Sequence, residues 1–519
     1  MEVGDQFFVE GVWNGEFGRG GFASTECFFG SGGVRRDDSI IFVTSCSTTD
    51  ALFYAERPHR VVVSNSLPFL LASVDDELDP SYSEYFESCE SLIRGINDYD
   101  KTVVTRNGAV QRLLFRNLRV SRQGCSEEDK PLPASFGRYE DYRDYLERNY
   151  ASIVANIRSP LRRHRLSIFS TQSRGYDSTA INALAAKYGI ERVFTSVRSK
   201  SIDPFDEARG LRQPNDDGSE ICRVLGLECV QIDRTSYTRD GFADEHLYYA
   251  SQAANQDANL RDIHRHIDHA AVLLTGVLGE IWYDAAGYAP WPGYVTSELK
   301  RFDVSGHGLG EVRLRVGYIQ LALPFLGAQR REDICRITNS AEMKPWQVNP
   351  GYDRPIPRRI AEERGVPREL FGQVKMGSVV MFRKPCLPYG AGLRREFLNS
   401  LVANRVMPRW QTRLWPAVQI LNSMLECRSP RRFRGLYYLE RAIARVLRRP
   451  FHFGYAWSRW NGALYCFCVN KCAAEYLQSI REREVVNGTA AHGDGTPGDH
   501  VRSYREGVTP PLSEAVNRR

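Results

Sequence analysis

Residues 166–189 combine a short apolar run, a polar loop rich in hydroxyl groups and an apolar pattern with helical spacing. Residues 166–170 form a short apolar run, residues 171–177 are polar and contain a glycine, and an apolar pattern with helical spacing follows. Gly189 stands where a helix stop belongs, and residues 192–197 predict a second strand. Free backbone N–H groups and the positive end of the helix dipole favour an anion at such a loop. The pattern therefore predicts a β-α-β unit whose loop favours an anion.

The predicted loop has the sequence Ser-Arg-Gly-Tyr-Asp-Ser from Ser173 to Ser178. It is not a Walker A loop, which ends in Gly-Lys-Ser/Thr, and it lacks the three spaced glycines of a dinucleotide fingerprint. Six residues alone leave a second interpretation open, an ordinary polar turn in which Asp177 only caps the helix.

This loop resembles the S-G-G-x-D-S phosphate loop of the PP-loop ATP pyrophosphatases, with Arg174 in place of one glycine. The guanidinium could bind a phosphate bidentately, or its bulk could block the close approach that glycine permits. The resemblance implies binding of ATP and pyrophosphate by Ser173, Arg174, Gly175, Tyr176, Asp177 and Ser178.

A second stretch with the same kind of chemistry spans residues 269–284, where an apolar strand ends in Thr275-Gly276 and Gly279-Glu280 follow. It is similar to the "lLSGdGGDElF" loop of asparagine synthetases, in which glycines close on pyrophosphate and an acid holds magnesium. The resemblance implies that Thr275, Gly276 and Gly279 contact pyrophosphate and that Glu280 binds metal.

Two residues of this second stretch depart from the family pattern, because Val277 and Leu278 stand where an acid and a glycine are usual. Mg²⁺ takes one or two carboxylates together with phosphate oxygens and waters. Asp177 and Glu280, each predicted at the carboxyl end of a strand in one parallel sheet, are therefore the expected magnesium ligands.

A third stretch, residues 354–377, is preceded by the sequence Leu-Pro-Phe-Leu at 323–326. Together they are similar to the "PfLd … K.llR.a..g.lP..v..R.K.gf" segment that ends the synthetase domain. The match implies a catalytic role for Lys375, which would neutralise charge on the α-phosphate and on an acyl-adenylate intermediate. A surface lysine without a role is the alternative.

The first 130 residues predict mostly β structure, with strands at 39–44, 51–54 and 60–64 and a hairpin at 102–115 that turns at Asn107-Gly108. The order of features is similar to the N-terminal domain of asparagine synthetase-like proteins. Glutamine-using members carry an N-terminal cysteine nucleophile. Here position 2 is Glu2 and the nearest cysteine is Cys27, so we expect no glutaminase chemistry.

These segments predict an α/β protein of several domains. The resemblance implies a degenerate, Ntn-type glutamine-amidotransferase-like domain (1–130) before a PP-loop (HUP-like) domain with a doubly wound parallel sheet (131–390). A helical extension (391–486) and a disordered tail (487–519) follow. Aromatic and apolar residues at helical spacing predict a helix over 139–157 that leads into the nucleotide-binding strand.

Other polar residues favour structural roles. Asp217 and Glu220 at a helix start are expected to match the helix dipole. A helix over 253–269 carries His264, His266 and His269, whose spacing does not suit a zinc site. The cysteine cluster of Cys466, Cys468 and Cys472 is expected to be buried. The basic helical pattern over 431–449 could touch membrane or RNA, although a packed helix is the commoner outcome.

Composition narrows the function classes. The 519 residues are 42% hydrophobic and 25% charged, and the net charge of +6 is too small to indicate DNA binding by itself. No apolar run is long enough for a transmembrane segment, and the N-terminus does not resemble a secretory signal. The twelve scattered cysteines predict reduced thiols in a cytoplasmic protein.

The resemblance to the asparagine synthetase superfamily covers roughly residues 40–385. It implies an ATP- and Mg²⁺-dependent ligase that adenylates a carboxylate, releases pyrophosphate and passes the acyl group to an amine or ammonia. The substrates would be small molecules or peptides of specialised biosynthesis. Two alternatives stay open: an enzyme that adenylates a tRNA base, with RNA as partner, and a scaffold with a decayed ATP site.

Overall fold

A computed structural model describes residues 1–197, 215–234, 236, 245–250, 255–282, 296–301, 304, 309–348, 352–373, 390–414, 442–443, 445–448 and 457–490. These residues form a mixed α/β structure with two antiparallel sheets and one parallel sheet. None of the helices in this part of the chain is both long and apolar enough to cross a membrane.

The first 130 residues contain ten strands and two short helices, α1 (Leu67–Ser73) and α2 (Tyr85–Glu90). The strands are β1 (Glu2–Val3), β2 (Phe7–Trp13), β3 (Phe28–Arg36), β4 (Ser39–Val43), β5 (Ala51–Arg57), β6 (Arg60–Ser64), β7 (Thr102–Thr105), β8 (Gly108–Leu114), β9 (Asn117–Ser121) and β10 (Gly124–Glu128). They form antiparallel sheets in the orders β1-β2-β3-β4-β9-β10 and β6-β5-β8-β7. The mostly β prediction for this region is confirmed.

The predicted hairpin is present, but its turn lies one residue earlier than expected. Thr105 pairs with Gly108, which leaves Arg106 and Asn107 in the turn. A type I′ turn needs a positive φ at both turn residues, and neither is among the described residues with positive φ. The predicted Asn107-Gly108 turn is therefore wrong, and Gly108, with φ 141°, begins the second strand.

Helix α3 (Tyr139–Ile157) has the predicted bounds. It begins at a capping interaction in which the Asp141 carboxylate accepts from the backbone N–H of Arg138 at 3.1 Å. Its apolar face lies in the largest core cluster, where Tyr142 accepts a hydrogen bond from the Trp282 indole at 2.9 Å. The helix therefore connects the first region to the parallel sheet through shared core packing.

The parallel sheet contains five strands in the order β13-β12-β11-β14-β15. Its elements are β11 (Ser167–Gln172), α4 (Tyr176–Ala185), β12 (Arg192–Thr195), α5 (Ser219–Val224), β13 (Cys229–Gln231), α6 (His246–Ala250), α7 (Arg261–His264), β14 (Ala271–Leu274), α8 (Gly310–Val316) and β15 (Tyr318–Leu321). The chain order reverses between β11 and β14. In open α/β sheets, ligands bind at the carboxyl ends of the strands at such a reversal.

Both faces of this sheet are buried. Along β11, Ile168 lies in one core cluster and Phe169 in another, and Val193 and Phe194 alternate in the same way along β12. Successive strand residues point to opposite faces, so near-continuous apolar runs here indicate a sheet covered on two sides. A five-stranded parallel sheet in an α/β fold is therefore shown.

The remaining helices are α9 (Arg331–Thr338), α10 (Pro355–Glu363), α11 (Ala391–Ala403) and α12 (Trp457–Ala490). Helix α12 does not extend away from the molecule: Tyr465, Cys466 and Val469 pack into the core of the four-stranded sheet. It also continues beyond residue 487, where the tail was predicted to begin. Residues 491–519 lie outside the described residues.

The histidine-bearing helix is shorter than predicted, because α7 ends at His264 and leaves His266 and His269 outside it. His264 is not solvated: it is buried and hydrogen-bonded to the hydroxyls of Tyr249 and Tyr318. Burial lowers the pKa of His264 to about 3. The predicted basic helix over 431–449 lies mostly outside the described residues.

Candidate functional site

The first two predicted loops meet at the reversal of the parallel sheet. Residues 173–178 follow β11 and residues 275–280 follow β14. A Cβ atom at Gly279 would lie 2.2 Å from Cγ of Asp177, and one at Gly276 would lie 3.1 Å from the backbone nitrogen of Ser178. A side chain at Gly279 would therefore displace Asp177, and Gly276 also lies close to the first loop.

Hydroxyl groups hold the first loop in shape. The backbone N–H of Ser173 donates to Oγ of Ser178 at 3.1 Å, and that of Gly175 donates to Oγ of Ser173 at 3.1 Å. The backbone N–H of Arg174 donates to the buried carboxylate of Asp216 at 2.9 Å. Sequence reasoning missed Asp216, whose only signal was its place beside the predicted cap residue Asp217.

The side chain of Arg174 faces the third stretch. Its Nε donates to the carbonyl of Leu370 at 3.0 Å, and its terminal nitrogen donates to that of Glu369 at 3.4 Å. The backbone N–H of Gly372 in turn donates to the Arg174 carbonyl at 2.8 Å. This tether differs from both predicted alternatives, because the guanidinium binds protein carbonyls.

Tyr176 anchors the same segment by packing. Its ring is fully buried, and a Cβ atom at Gly372 would lie 2.4 Å from it. Gly372 also has φ 67°, a left-handed conformation that glycine adopts without steric cost. Burial raises the pKa of Tyr176 to about 12, and its hydroxyl accepts from Arg358. The Tyr176 side chain therefore belongs to the core beside the loop.

Arg354, immediately before α10, lies between the two loops. Its guanidinium is 1% exposed, forms an ion pair with the Asp177 carboxylate and lies 3.5 Å from the carbonyl of Gly279. No local pattern in the sequence marked Arg354 for this position. The pairing joins all three predicted stretches at one place.

The second loop keeps a glycine-like backbone at Leu278, which has φ 70° and is 1% exposed. A left-handed conformation costs a residue with a side chain about 1–2 kcal/mol. The family resemblance places a glycine at this position. Core packing of the leucine side chain offsets the strain here.

Glu280, the second predicted metal ligand, also faces an arginine. Its Oε1 accepts from Nε of Arg301 at 2.8 Å, and the backbone N–H of Arg301 donates to Ile93 of the first region. In the part of the chain that the structure describes, no three His, Cys, Asp or Glu side chains cluster as metal ligands. Asp177 and Glu280 each pair with a guanidinium group, so neither would be available to Mg²⁺ unless its arginine partner moved.

Lys375 lies outside the described residues. The segment before it is described through Gln373, whose side chain donates to the carbonyls of Arg368 and Phe371. Residues 368–372 contact the first loop through Arg174 and Tyr176, as described above. The position proposed for Lys375 therefore stays a prediction.

Cys27 is a core thiol. It is fully buried in the main core cluster, and its Sγ lies 3.4 Å from the hydroxyl of Tyr145. Burial raises the pKa of Cys27 well above its usual value. A nucleophilic cysteine needs the opposite shift, towards the thiolate.

Asp217 and Glu220 lie at the start of α5 as predicted, although its N-cap residue is Gly218, which supplies no side-chain cap. Asp217 accepts from the backbone N–H of Ser219 at 2.9 Å at the start of α5, and Glu220 pairs with Arg223 at 3.2 Å. The three cysteines of α12 are buried free thiols. They are Cys466, Cys468 and Cys472.

Comparison of the sequence with protein-family models and with curated proteins finds no match in either.

Proposed function

We propose that this chain is an ATP-dependent amide-forming synthetase of the asparagine synthetase-like kind. The observation that carries the proposal is the convergence of three separate stretches at the sheet reversal. The loop after β11, the loop after β14 and residues 354–372 share contacts through Asp177, Arg354 and Tyr176. Nucleotides bind at this place in doubly wound sheets.

The proposed reaction has two steps. A carboxylate oxygen of the acid substrate attacks the α-phosphorus of ATP, the bond to the bridging oxygen breaks, and pyrophosphate leaves. The nitrogen of an amine or of ammonia then attacks the acyl carbon, AMP leaves, and the nitrogen loses a proton. Because Cys27 is a buried core thiol whose pKa is raised by burial, a free amine or ammonia is the proposed nitrogen source.

The loop residues would act mainly by shape and backbone polarity. Gly276 and Gly279 leave space beside the first loop, and the N-terminus of α4 directs backbone N–H groups towards an anion. Ser173 and Ser178 add hydroxyls, which now bond to each other at 2.9 Å. We propose that Lys375 acts on the developing negative charge.

Arg354 is the cation of this site in the described structure. When a nucleotide enters, the guanidinium could exchange the Asp177 carboxylate for phosphate oxygens, which it binds with the same geometry. Only after that exchange would Asp177 be available to Mg²⁺. The prediction of magnesium therefore depends on the movement of Arg354.

A scaffold with a decayed site is the second candidate, and one observation favours it. The protein's own charges occupy the loop: Asp216 accepts from the Arg174 amide, and Arg354 pairs with Asp177. Such a site is satisfied without a ligand. The alternative of a tRNA-modifying enzyme assigned RNA contacts to the cysteine cluster of α12 and to the arginine-rich C-terminus. The three cysteines are buried free thiols, and the basic pattern over 431–449 lies mostly outside the described residues.

Calorimetric titration with ATP, with and without Mg²⁺, tests the proposal. We expect saturable binding to the wild type and its loss in Asp177→Ala. Glu220→Gln is the matched control, because it changes only a surface pair with Arg223. Pyrophosphate release would then be screened over acids and amines. A folded wild type that binds no ATP would support the scaffold, and binding retained by Asp177→Ala would place the site elsewhere.

A further inference from the structure

A polar cavity lies away from the three loops, between the four-stranded sheet, α8 and α12. Its volume is about 40 Å³, which is room for about three water molecules. The cavity carries ionisable side chains on elements that are far apart in the chain. Residues that line it include Thr49, Asp50, Asn65, Arg112, Arg313 and Tyr465.

One part of the cavity wall has an excess of negative charge. Nε of Arg313 donates to Oδ1 of Asp50 at 2.6 Å, and its terminal nitrogen donates to Glu10 at 2.7 Å. No other cation pairs with these two carboxylates in the described part of the chain. Two carboxylates therefore share one guanidinium, which leaves a net charge of about −1.

Asp50 is the member of this group that lines the cavity. It is 4% exposed, and its Oδ2 accepts no hydrogen bond from any described residue. Burial raises the pKa of Asp50 above its usual value, and Arg313 offsets only part of that effect. A buried carboxylate oxygen without a donor is unfavourable unless a ligand or water supplies one.

Another part of the wall has the opposite charge. Arg112 is 5% exposed, and its terminal nitrogen donates to the backbone carbonyls of Ser88 at 2.7 Å and Asp100 at 2.6 Å. Its Nε has no acceptor, and no carboxylate pairs with it among the described residues. A buried guanidinium held only by neutral acceptors leaves a positive charge without a counterion.

The two charged groups line the same cavity. Arg112 on β8 lies opposite Phe53 on β5, and Asp50 immediately precedes β5, three residues before Phe53. Three residues of extended chain span about 10 Å at 3.3 Å per residue. A ligand with one charge would compensate only one of them.

We propose that this cavity binds a small amino acid, with its ammonium group at Asp50 and its carboxylate at Arg112. The two ligand charges neutralise the two uncompensated charges of the wall, and the small volume limits the side chain. None of the lining residues belongs to the nucleotide loops. The amino acid site and the proposed synthetase activity can therefore fail separately.

Titration of the full-length protein with single probes tests the site. The probes are glycine, L-alanine and β-alanine, compared with acetate and methylammonium, which carry one charge each. We expect at least one amino acid to bind about tenfold or more tightly than either single-charge probe, a difference of about 1.4 kcal/mol. If no amino acid binds with a dissociation constant below about 1 mM, water alone fills the cavity and the proposal is wrong.

Two substitutions assign the contacts. Asp50→Asn keeps the shape but removes the charge, so amino acid affinity should fall at least about tenfold while acetate binding is unchanged. Arg112→Gln should weaken both the amino acid and acetate. Because Arg112 also holds two backbone segments, its variant is used only if its melting curve shows a folded protein, and Asp50→Asn decides otherwise.

Glu77→Gln is the matched control, since it alters a half-exposed ion pair with Arg106 at 3.0 Å and neither residue lines the cavity. Amino acid affinity should be unchanged in this variant. Equal affinity in wild type and Asp50→Asn would overturn the assignment of the ammonium contact and with it the proposal.

Discussion

The proposed nucleotide site and the cavity of the first region differ in how their buried charges are paired. In the nucleotide site, Asp177 pairs with Arg354 and Glu280 pairs with Arg301, so each carboxylate has its own guanidinium. In the cavity, Arg313 pairs with two carboxylates, and Arg112 pairs with none among the described residues. A balanced site must exchange partners before it takes a charged ligand, whereas an unbalanced site gains compensation when the ligand arrives.

The largest effect should come from removing the shared guanidinium of the cavity. Arg313→Gln would leave the buried Asp50 and the partly exposed Glu10 without a cation, and breaking a buried pair such as Asp50–Arg313 costs about 3–5 kcal/mol. Denaturant unfolding would measure the loss. Arg315→Gln is the control on the same helix, where the guanidinium is more exposed. Equal losses of unfolding free energy for both variants would mean that the shared guanidinium of the cavity contributes no more to stability than the more exposed one.

The next effect concerns the close approach of the two loops. Gly279→Ala would place a methyl group 2.2 Å from Cγ of Asp177, and overpacking of this kind costs about 1–3 kcal/mol. Thermal unfolding and ATP titration would measure stability and binding together. Gly392→Ala is the control, because nothing lies within 4 Å of its added Cβ and it sits in α11. An unchanged melting temperature in Gly279→Ala would contradict the loop contact.

A smaller effect is expected when the balanced pair is broken. Arg354→Gln should destabilise the protein by about 1–2 kcal/mol, less than Arg313→Gln, because the Asp177 carboxylate is partly open to solvent. ATP binding should then depend on Mg²⁺ more strongly than in wild type, since Asp177 is free to coordinate it. Arg354→Lys keeps the charge and is the control. An unchanged dependence on Mg²⁺ would argue against partner exchange.

The smallest effect should come from Arg174→Gly, which restores the glycine of the family pattern. The loss of the bonds to Leu370 and Glu369 should cost about 1 kcal/mol of unfolding free energy. ATP affinity should change little if the side chain only tethers the third stretch. A large loss of ATP affinity at unchanged stability would instead support direct phosphate binding by Arg174.

Local patterns determined much of the fold. The apolar spacing over 139–157 predicted α3 with its observed bounds, and the strand–loop–helix pattern at 166–189 predicted β11 and α4. The errors were also local. Thr105 pairs with Gly108, which places the hairpin turn at Arg106 and Asn107. His264 is the last residue of α7 and is hydrogen-bonded to two tyrosine hydroxyls.

The sequence by itself determined the strand, loop and helix elements and the chemical types of the loop residues, because these depend on neighbours within a few positions. Only the tertiary structure decided which charges meet. Asp177 and Arg354 are 177 residues apart, and Asp50 and Arg313 are 263 residues apart. Such pairs form when elements distant in the chain pack together. The low dielectric of the interior then makes the interaction energy of each charged pair large.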